Sequence, residues 1–192
     1  MGAHRRRAGL TLAELTVSIV VLALVSGILM SLLIQALKMY NQGLAETSAN
    51  DRASTALALM LPDVREAVNV DYPGPQQIDF TLPQKDANGY NYVNPSTRSL
   101  QAGLQVRYYL SDGTGATPST AGTYLWRAKR NIGETTWTPE RILTSEVDHL
   151  LFTYAPTTDL LELVQCEITV RASASPGSFA RTVVGEICLR NH

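Results

Sequence analysis

The strongest constraint on this chain is an uncharged apolar run near its N-terminus. Residues 15–34 read LTVSIVVLALVSGILMSLLI, which is 20 residues without a charged side chain. As an α-helix this run would be about 30 Å long, which matches the hydrocarbon core of a bilayer. The apolar part of a cleaved secretory signal is shorter, at about 7–15 residues. We therefore interpret the run as a membrane-spanning helix.

Charged residues before the run indicate its orientation. Arg5, Arg6 and Arg7 precede it, so the N-terminus should stay cytoplasmic and the rest of the chain should be exported. Glu14 lies at the edge of the run, and a carboxylate carried to the bilayer centre costs about 3 kcal/mol. No Lys or Arg lies within the run, so we expect a cationic partner from outside the helix or from a new positive charge nearby.

A short segment in front of the run carries a specific resemblance. Residues 9–15 read GLTLAEL and resemble the processing signal of type IV pilins and type II secretion pseudopilins, whose usual form is G-F-T-L-x-E. Leu10 stands where that family most often has Phe. The resemblance implies that a prepilin peptidase cuts between Gly9 and Leu10 and methylates the new amino terminus. We hypothesise that this amine pairs with Glu14 of a neighbouring subunit.

Small residues recur every four positions within the run, at Ala23, Gly27 and Ser31. Such a stripe lets helices approach closely in lipid, so we expect these residues to pack against other helices. The alternative is that small residues are simply common in membrane helices.

The apolar pattern then continues at helical spacing towards residue 64. The polar stretch at 41–55, which contains Gly43, is expected to bend or fray. Pro62 is expected to kink or interrupt the helix because it lacks a backbone donor. The apolar positions are Leu37, Tyr40, Leu44, Ala53, Ala56, Leu57, Met60, Leu61 and Val64.

From about residue 76 the periodicity changes to two, which predicts strands. The pattern predicts an α+β fold in which a long N-terminal helix, half transmembrane and half amphipathic, packs on an antiparallel β-sheet head. The expected segments are a leader at 1–9, a transmembrane and assembly helix at 10–36, an amphipathic helix at 37–70 and an exported β-rich head at 71–192. Strands are expected at 77–82, 104–110, 123–130, 149–155, 160–172 and 181–190, with a short strand or turn at 141–147.

The head also resembles one subclass of the pilin-like proteins. The segment LPDVREAV at 61–68 is similar to the D-[LV]-R-x-A pattern of J-type minor pseudopilins, and related minor pilins share the strand pattern that follows. The resemblance therefore implies a pilin-like fold.

The two cysteines fall on the last predicted hairpin. If its turn centres on Gly177, then Cys166 and Cys188 face each other, and a disulfide would form in an oxidising exported head. The alternative is a pair of buried free cysteines that act as small apolar residues.

Other site chemistry is sparse in the sequence. Residues 86–89 carry oxygen ligands at alternate positions but lack the bidentate glutamate of a calcium loop, so we predict a plain turn and no metal. No nucleophile-elbow or phosphate-binding motif occurs, and we expect neither enzymatic activity nor a cofactor. Arg127, Lys129 and Arg130 form a small basic cluster beside Trp126, which we interpret as a solvated strand edge and not as a nucleic-acid site.

These observations favour a minor pseudopilin-like subunit of a type II secretion pseudopilus. It would sit in the inner membrane with its head exported, and in a filament after assembly. Its partners would be prepilin peptidase, other pilins or pseudopilins, and the membrane. A type IV minor pilin for adhesion, motility or DNA uptake is the nearest alternative, and a single-pass anchored enzyme or receptor domain is an alternative of another class.

Overall fold

The computed structural model describes residues 11–157, 160–174 and 177–188. By its internal contacts the chain divides into two units, Met1–Gly43 and Leu44–His192. One helix, α1, spans Leu12–Glu66, and eight strands follow it in the chain. The predicted α+β fold, with an N-terminal helix and an antiparallel β-sheet head, is confirmed.

The strands form two antiparallel sheets. The first has five strands in the order β1-β2-β3-β4-β5, and the second has three in the order β6-β7-β8. Their bounds are β1 Asn69–Pro73, β2 Gln77–Pro83, β3 Ala102–Ser111, β4 Tyr124–Asn131, β5 Thr138–Thr144, β6 Val147–Thr157, β7 Leu160–Ala174 and β8 Gly177–Cys188.

Seven of these strands overlap the predicted ones, and β1 was missed. The five residues of β1, NVDYP, show no buried position at all, so no apolar alternation marks the strand in the sequence.

In the first unit, α1 leaves its apolar side chains exposed from Leu12 to beyond Ile34. By length and composition this part of α1 is able to cross a membrane. Apolar side chains exposed around the whole circumference of a helix are typical of a segment whose solvent is lipid or other helices. Leu37 and Tyr40, two of the apolar positions at helical spacing, continue this exposed surface.

In the second unit, small residues bring α1 close to the sheets. Ala49, Ala53 and Ala56 are completely buried, and Ala45 is nearly so. Ala45 and Ala49 pack with Ala172 of β7 and Phe179 of β8. The predicted fraying of the polar stretch at 41–55 is therefore wrong, because its alanines form a narrow buried face while its polar residues face solvent.

The helix also continues through Pro62 to Glu66, so the predicted interruption is wrong. Met60 and Val64, one turn apart on either side of the proline, are each 1% exposed in the core. Their burial offsets the one backbone hydrogen bond that Pro62 cannot donate. Leu44, another apolar position at helical spacing, is exposed.

One main core lies between α1 and the two sheets. It buries alternate residues of the strands, and the predicted helix positions Ala53, Ala56, Leu57, Met60 and Val64 are part of it, with Leu61 partly buried. The largest strand side chains without solvent contact are Ile78, Phe80, Val106, Tyr108, Leu125, Leu150, Val164, Ile168 and Val170.

A glycine of β8 lies close against α1. A Cβ atom at Gly185 would lie 2.5 Å from a terminal methyl group of Leu57, which is itself buried. We expect Gly185→Ala to destabilise the fold by about 1–3 kcal/mol, because the core must shift to admit the methyl group.

Gly177→Ala on the same strand is the matched control, since a Cβ there meets nothing within 4 Å. Urea unfolding of the detergent-solubilised full chain measures both variants. Equal midpoints for the two variants would contradict the predicted close packing.

Candidate functional site

The start of α1 is closed by a reciprocal set of hydrogen bonds between Thr11 and Glu14. The backbone N–H of Thr11 donates to Oε2 of Glu14 at 2.9 Å, and the Thr11 hydroxyl donates to the same oxygen at 3.0 Å. In return, the backbone N–H of Glu14 donates to Oγ1 of Thr11 at 3.3 Å. This is a capping box, which satisfies donors that the first helical turn leaves without intrahelical partners.

The capping box supplies one of the hydrogen-bonding partners that a carboxylate at the edge of the apolar run needs. We expected a cationic partner for Glu14 from outside the helix or from a new positive charge nearby, and the structure adds a neutral partner, Thr11, directly before the helix. The sequence signal was present, because a T-x-x-E pattern directly before an apolar run is typical of this cap. Both Thr11 donors are neutral, however, so the exposed carboxylate keeps its charge and a cation would still stabilise it.

Two hydroxyl groups near the start of the helix are also satisfied internally. Thr16 donates to the carbonyl of Ala13 at 2.9 Å, and Ser18 donates to the carbonyl of Glu14 at 2.7 Å. These side chains therefore present no unpaired hydroxyl donor to a lipid environment.

The other predicted assembly residues are placed as follows. Gly9 and Leu10 lie outside the described residues. Ala23, Gly27 and Ser31 are exposed, and a Cβ at Gly27 meets no atom within 4 Å. Close packing of these three residues against another helix stays a prediction.

The predicted pairing of the two cysteines is wrong. Cys166 lies opposite Gly185, and Cys188 lies opposite Leu163, because the ladder of β7 and β8 pairs Ala174 with Gly177. The register thus differs by three residues from the expected one. Since side chains alternate between the faces of a sheet, an odd offset puts the two thiols on opposite faces. Both cysteines are free.

The alternative expectation of two buried cysteines holds for one of them only. Cys166 is fully buried in the main core, and this burial, together with the charge of Glu167, raises the pKa of its thiol to about 12. Cys188 is exposed.

A partly buried ionic cluster joins the last turn of α1 to the five-stranded sheet. Asp63 accepts hydrogen bonds from the Tyr108 hydroxyl at 2.7 Å and from Nε of Arg127 at 2.8 Å. Arg127 also pairs with Glu140, which in turn accepts from Nζ of Lys129 at 2.9 Å. Burial, reinforced by the neighbouring charge of Asp63, raises the pKa of Tyr108.

Removal of Asp63 should therefore be costly. We expect Asp63→Ala to destabilise the protein by about 1–3 kcal/mol, because the buried Tyr108 hydroxyl and the Nε of Arg127 both lose the acceptor that Asp63 provides on α1, although Arg127 keeps its pair with Glu140. Urea unfolding of the full chain in detergent measures the loss.

Glu66→Ala, one turn along, removes an exposed pair with Lys85 and serves as the control. Pairs of this kind contribute about 0–1 kcal/mol, so the control variant should unfold almost as the wild type does. A loss for Asp63→Ala no larger than for Glu66→Ala would show that the cluster does not stabilise the fold.

The basic residues near Trp126 do not form the solvated edge that we predicted. Arg127 and Lys129 pair with the acidic groups described above, whereas Arg130 donates to the side-chain oxygen of Gln105 at 2.6 Å. The guanidinium carbons of Arg130 and Arg107 also lie 4.3 and 4.2 Å from the ring centroid of Trp137. Arg107 makes two hydrogen bonds to the buried Asp79, at 2.8 and 2.6 Å. The cations are thus divided between separate clusters.

The loop at 86–89 forms a turn, as predicted. Oδ1 of Asp86 accepts from the backbone N–H groups of Asn88 and Tyr90, at 2.8 and 2.9 Å. Gly89 has a φ of 84°, which favours glycine. In the described ranges, no three His, Cys, Asp or Glu side chains are grouped so that they could hold a metal ion.

The structure thus shows an α+β protein whose N-terminal apolar helix is long and apolar enough to cross a membrane and begins at a capped acidic residue. Residues 4–30 match the family model of the prokaryotic N-terminal methylation motif. This match supports the type IV pilin and pseudopilin family, and a pilin-like subunit that prepilin peptidase processes. No curated protein and no solved structure matches the chain.

Proposed function

We propose that this chain is a minor pseudopilin-like subunit of a type II secretion pseudopilus, with a head of the J type. The observation that carries the proposal is the methylation motif at 4–30, which covers the start of a helix whose apolar side chains are exposed. A processing signal explains the leader, and the exposed helix supplies a surface that only lipid or other helices can cover. In this proposal the cut falls between Gly9 and Leu10.

Glu14 is the residue we propose to direct assembly. Cutting after Gly9 creates an α-amino group on Leu10, and this cation would lie beside Glu14 of an adjoining subunit. Pairing offsets part of the cost of holding either charge in lipid. The capping box supports this role because Thr11 fixes the position of the carboxylate at the helix start.

Other parts of the chain would contribute to helix packing, membrane orientation and contacts between subunits. Ala23, Gly27 and Ser31 would let neighbouring helices approach closely in the filament. The three leader arginines would keep the N-terminus in the cytoplasm, so that the chain sits in the inner membrane with its head exported. The head would present surfaces to other subunits and would carry out no chemistry.

A type IV minor pilin would carry the same motif, so a cellular experiment must separate the two functions. We expect deletion of this chain from its host to abolish export of proteins by the type II system and to leave surface pili intact. Complementation with the wild-type chain should restore export. Loss of pili with normal export would favour the minor pilin instead. If both are normal and the isolated head has a catalytic activity, the anchored enzyme is favoured.

A further inference from the structure

The edges of the two sheets differ in a way that distinguishes β8. In the part of the chain that the structure describes, β1, β5, β6 and β8 lie at sheet edges. The first three contain Pro73, Pro139 and Pro156, respectively, and each has register shifts in its pairing. Prolines and bulges are the devices by which proteins protect exposed edges from pairing with other chains. β8 has no proline and pairs with β7 over 12 consecutive positions without a shift.

The outer side of β8 is also open, whereas that of β6 is partly occupied. Along β6, the N–H of Phe152 donates to the carbonyl of Pro75 at 2.7 Å, and the N–H of Val147 donates to that of Thr123 at 2.9 Å. Within the described ranges, no backbone hydrogen bond reaches the side of β8 that faces away from β7. Alternate N–H and C=O groups along this edge therefore point outward, and no residue of the described ranges pairs with them.

The inner face of β8 holds the strand firmly in place. Ile187 is buried, Gly185 lies against Leu57, and Arg181 forms an ion pair with Glu46 of α1. The middle of the strand reads Thr-Val-Val at 182–184, which are residues of high β propensity. The edge is thus a regular, preformed template that needs no rearrangement to accept another strand.

We propose that the open edge of β8 is the docking site for an extended strand from the head of a neighbouring subunit. The ladder of outward backbone groups recognises another backbone, and main-chain hydrogen bonds would give the contact its affinity. The identity of the partner rests on the proposed function, because a filament places subunit heads side by side. The contact would extend the three-stranded sheet across the boundary between two subunits.

Photo-cross-linking in membranes tests this proposal. The probe p-benzoylphenylalanine replaces Val184 on β8 in the full chain, or Ile142 on the interrupted edge strand β5 as the control. The two native side chains are 49% and 43% exposed, so the positions match in accessibility. We expect an adduct with a pilin or pseudopilin subunit from position 184 and none from position 142. Absence of an adduct at 184, equal adducts at both, or an adduct only with other proteins would overturn the proposal.

Proline substitutions provide a second, independent measurement. The N–H groups of Val183 and Val184 point to opposite sides of β8. A proline at one of these positions removes a hydrogen bond to β7, whereas a proline at the other removes only a donor of the open edge. With the probe placed at Thr182, the proline variant that keeps the wild-type melting temperature should lose the adduct. An unchanged adduct in that variant would contradict strand addition.

Processing at Leu10 is measured in the same samples. A processed chain that forms no adduct refutes the docking site and leaves the proposed function standing. A chain that keeps its leader in cells with active peptidase refutes the proposed function.

Discussion

Protein recovered from membranes of cells with an active prepilin peptidase is expected to begin with a methylated Leu10. Residues 4–30 match the methylation motif, and the resemblance of residues 9–15 to the processing signal of that family leads us to expect the cut between Gly9 and Leu10. Removal of residues 1–9 takes away Arg5, Arg6 and Arg7, so the formal net charge changes from −1 to −4. Intact-mass measurement of the purified protein and sequencing of its N-terminal peptide check the result.

Two glycine variants in the leader sharpen this test. Gly9→Val should leave essentially all of the chain uncut, because the peptidase must accommodate the residue that precedes the cut. Gly2→Ala changes a glycine of the same leader away from the cut and should be processed as the wild type is. A wild-type chain that retains its arginines in the presence of the active enzyme would contradict the processing signal.

Loss of the charge on Glu14 is expected to reduce incorporation into filaments by about a hundredfold or more, while insertion into the membrane stays normal. Removing one partner of a buried ion pair costs about 3–5 kcal/mol, because the other charge is left unpaired. The unpaired group here would be the methylated amine of the neighbouring subunit. The amount of the variant in sheared, sedimented filaments, relative to its amount in membranes, is the measurement.

The capping box requires that this experiment use more than one variant. Glu14→Val removes both the charge and the cap, and loss of a cap alone costs about 0.5–2 kcal/mol. Glu14→Gln keeps a residue that can complete the capping box but removes the charge. Thr11→Val keeps the charge and removes the hydroxyl group of the cap.

If the charge directs assembly, Glu14→Gln should fail almost as completely as Glu14→Val, and Thr11→Val should assemble. The reverse pattern, in which Glu14→Gln assembles and Thr11→Val fails, would mean that Glu14 serves only to begin the helix. Membrane fractionation of each variant shows whether a loss arises before assembly.

Much of the architecture could be predicted from patterns within short stretches. Ala53, Ala56, Leu57, Met60 and Val64 were recognised as a helix face because apolar residues at this spacing share one side of a helix. The segment QIDFTL was recognised as β2 because Ile78 and Phe80 alternate with polar residues.

The same pattern could not show that Asp79 and Thr81, which point to the other face, are also nearly buried. Asp79 is covered by Arg107, and Thr81 bonds to Asp71 at 2.7 Å. These partners are distant in the sequence, and only the order of the strands brings them together.

The wrong predictions also arose from contacts between residues that are distant in the sequence. Pro62 was expected to interrupt α1, but the packing of Met60 and Val64 outweighs a single lost hydrogen bond. Cys166 and Cys188 were expected to face each other, but the register of β7 and β8 depends on the turn and on which face meets the core. The partly buried cluster of Asp63, Tyr108 and Arg127 had no local signal, since its members lie on three separate elements.

By itself, the sequence determined the membrane-length helix, its processing signal and the alternation that makes the strands. These features are specified by residues that are neighbours in the sequence. The burial of apolar side chains away from water and the backbone geometry of a single helix or strand are enough to produce them. Only the tertiary structure decided which charges are buried together, how the cysteines are separated and which sheet edge stays open. Those features depend on contacts between residues far apart in the chain. The free energy of such contacts comes from the packing of several segments together, so it cannot be read from any one segment.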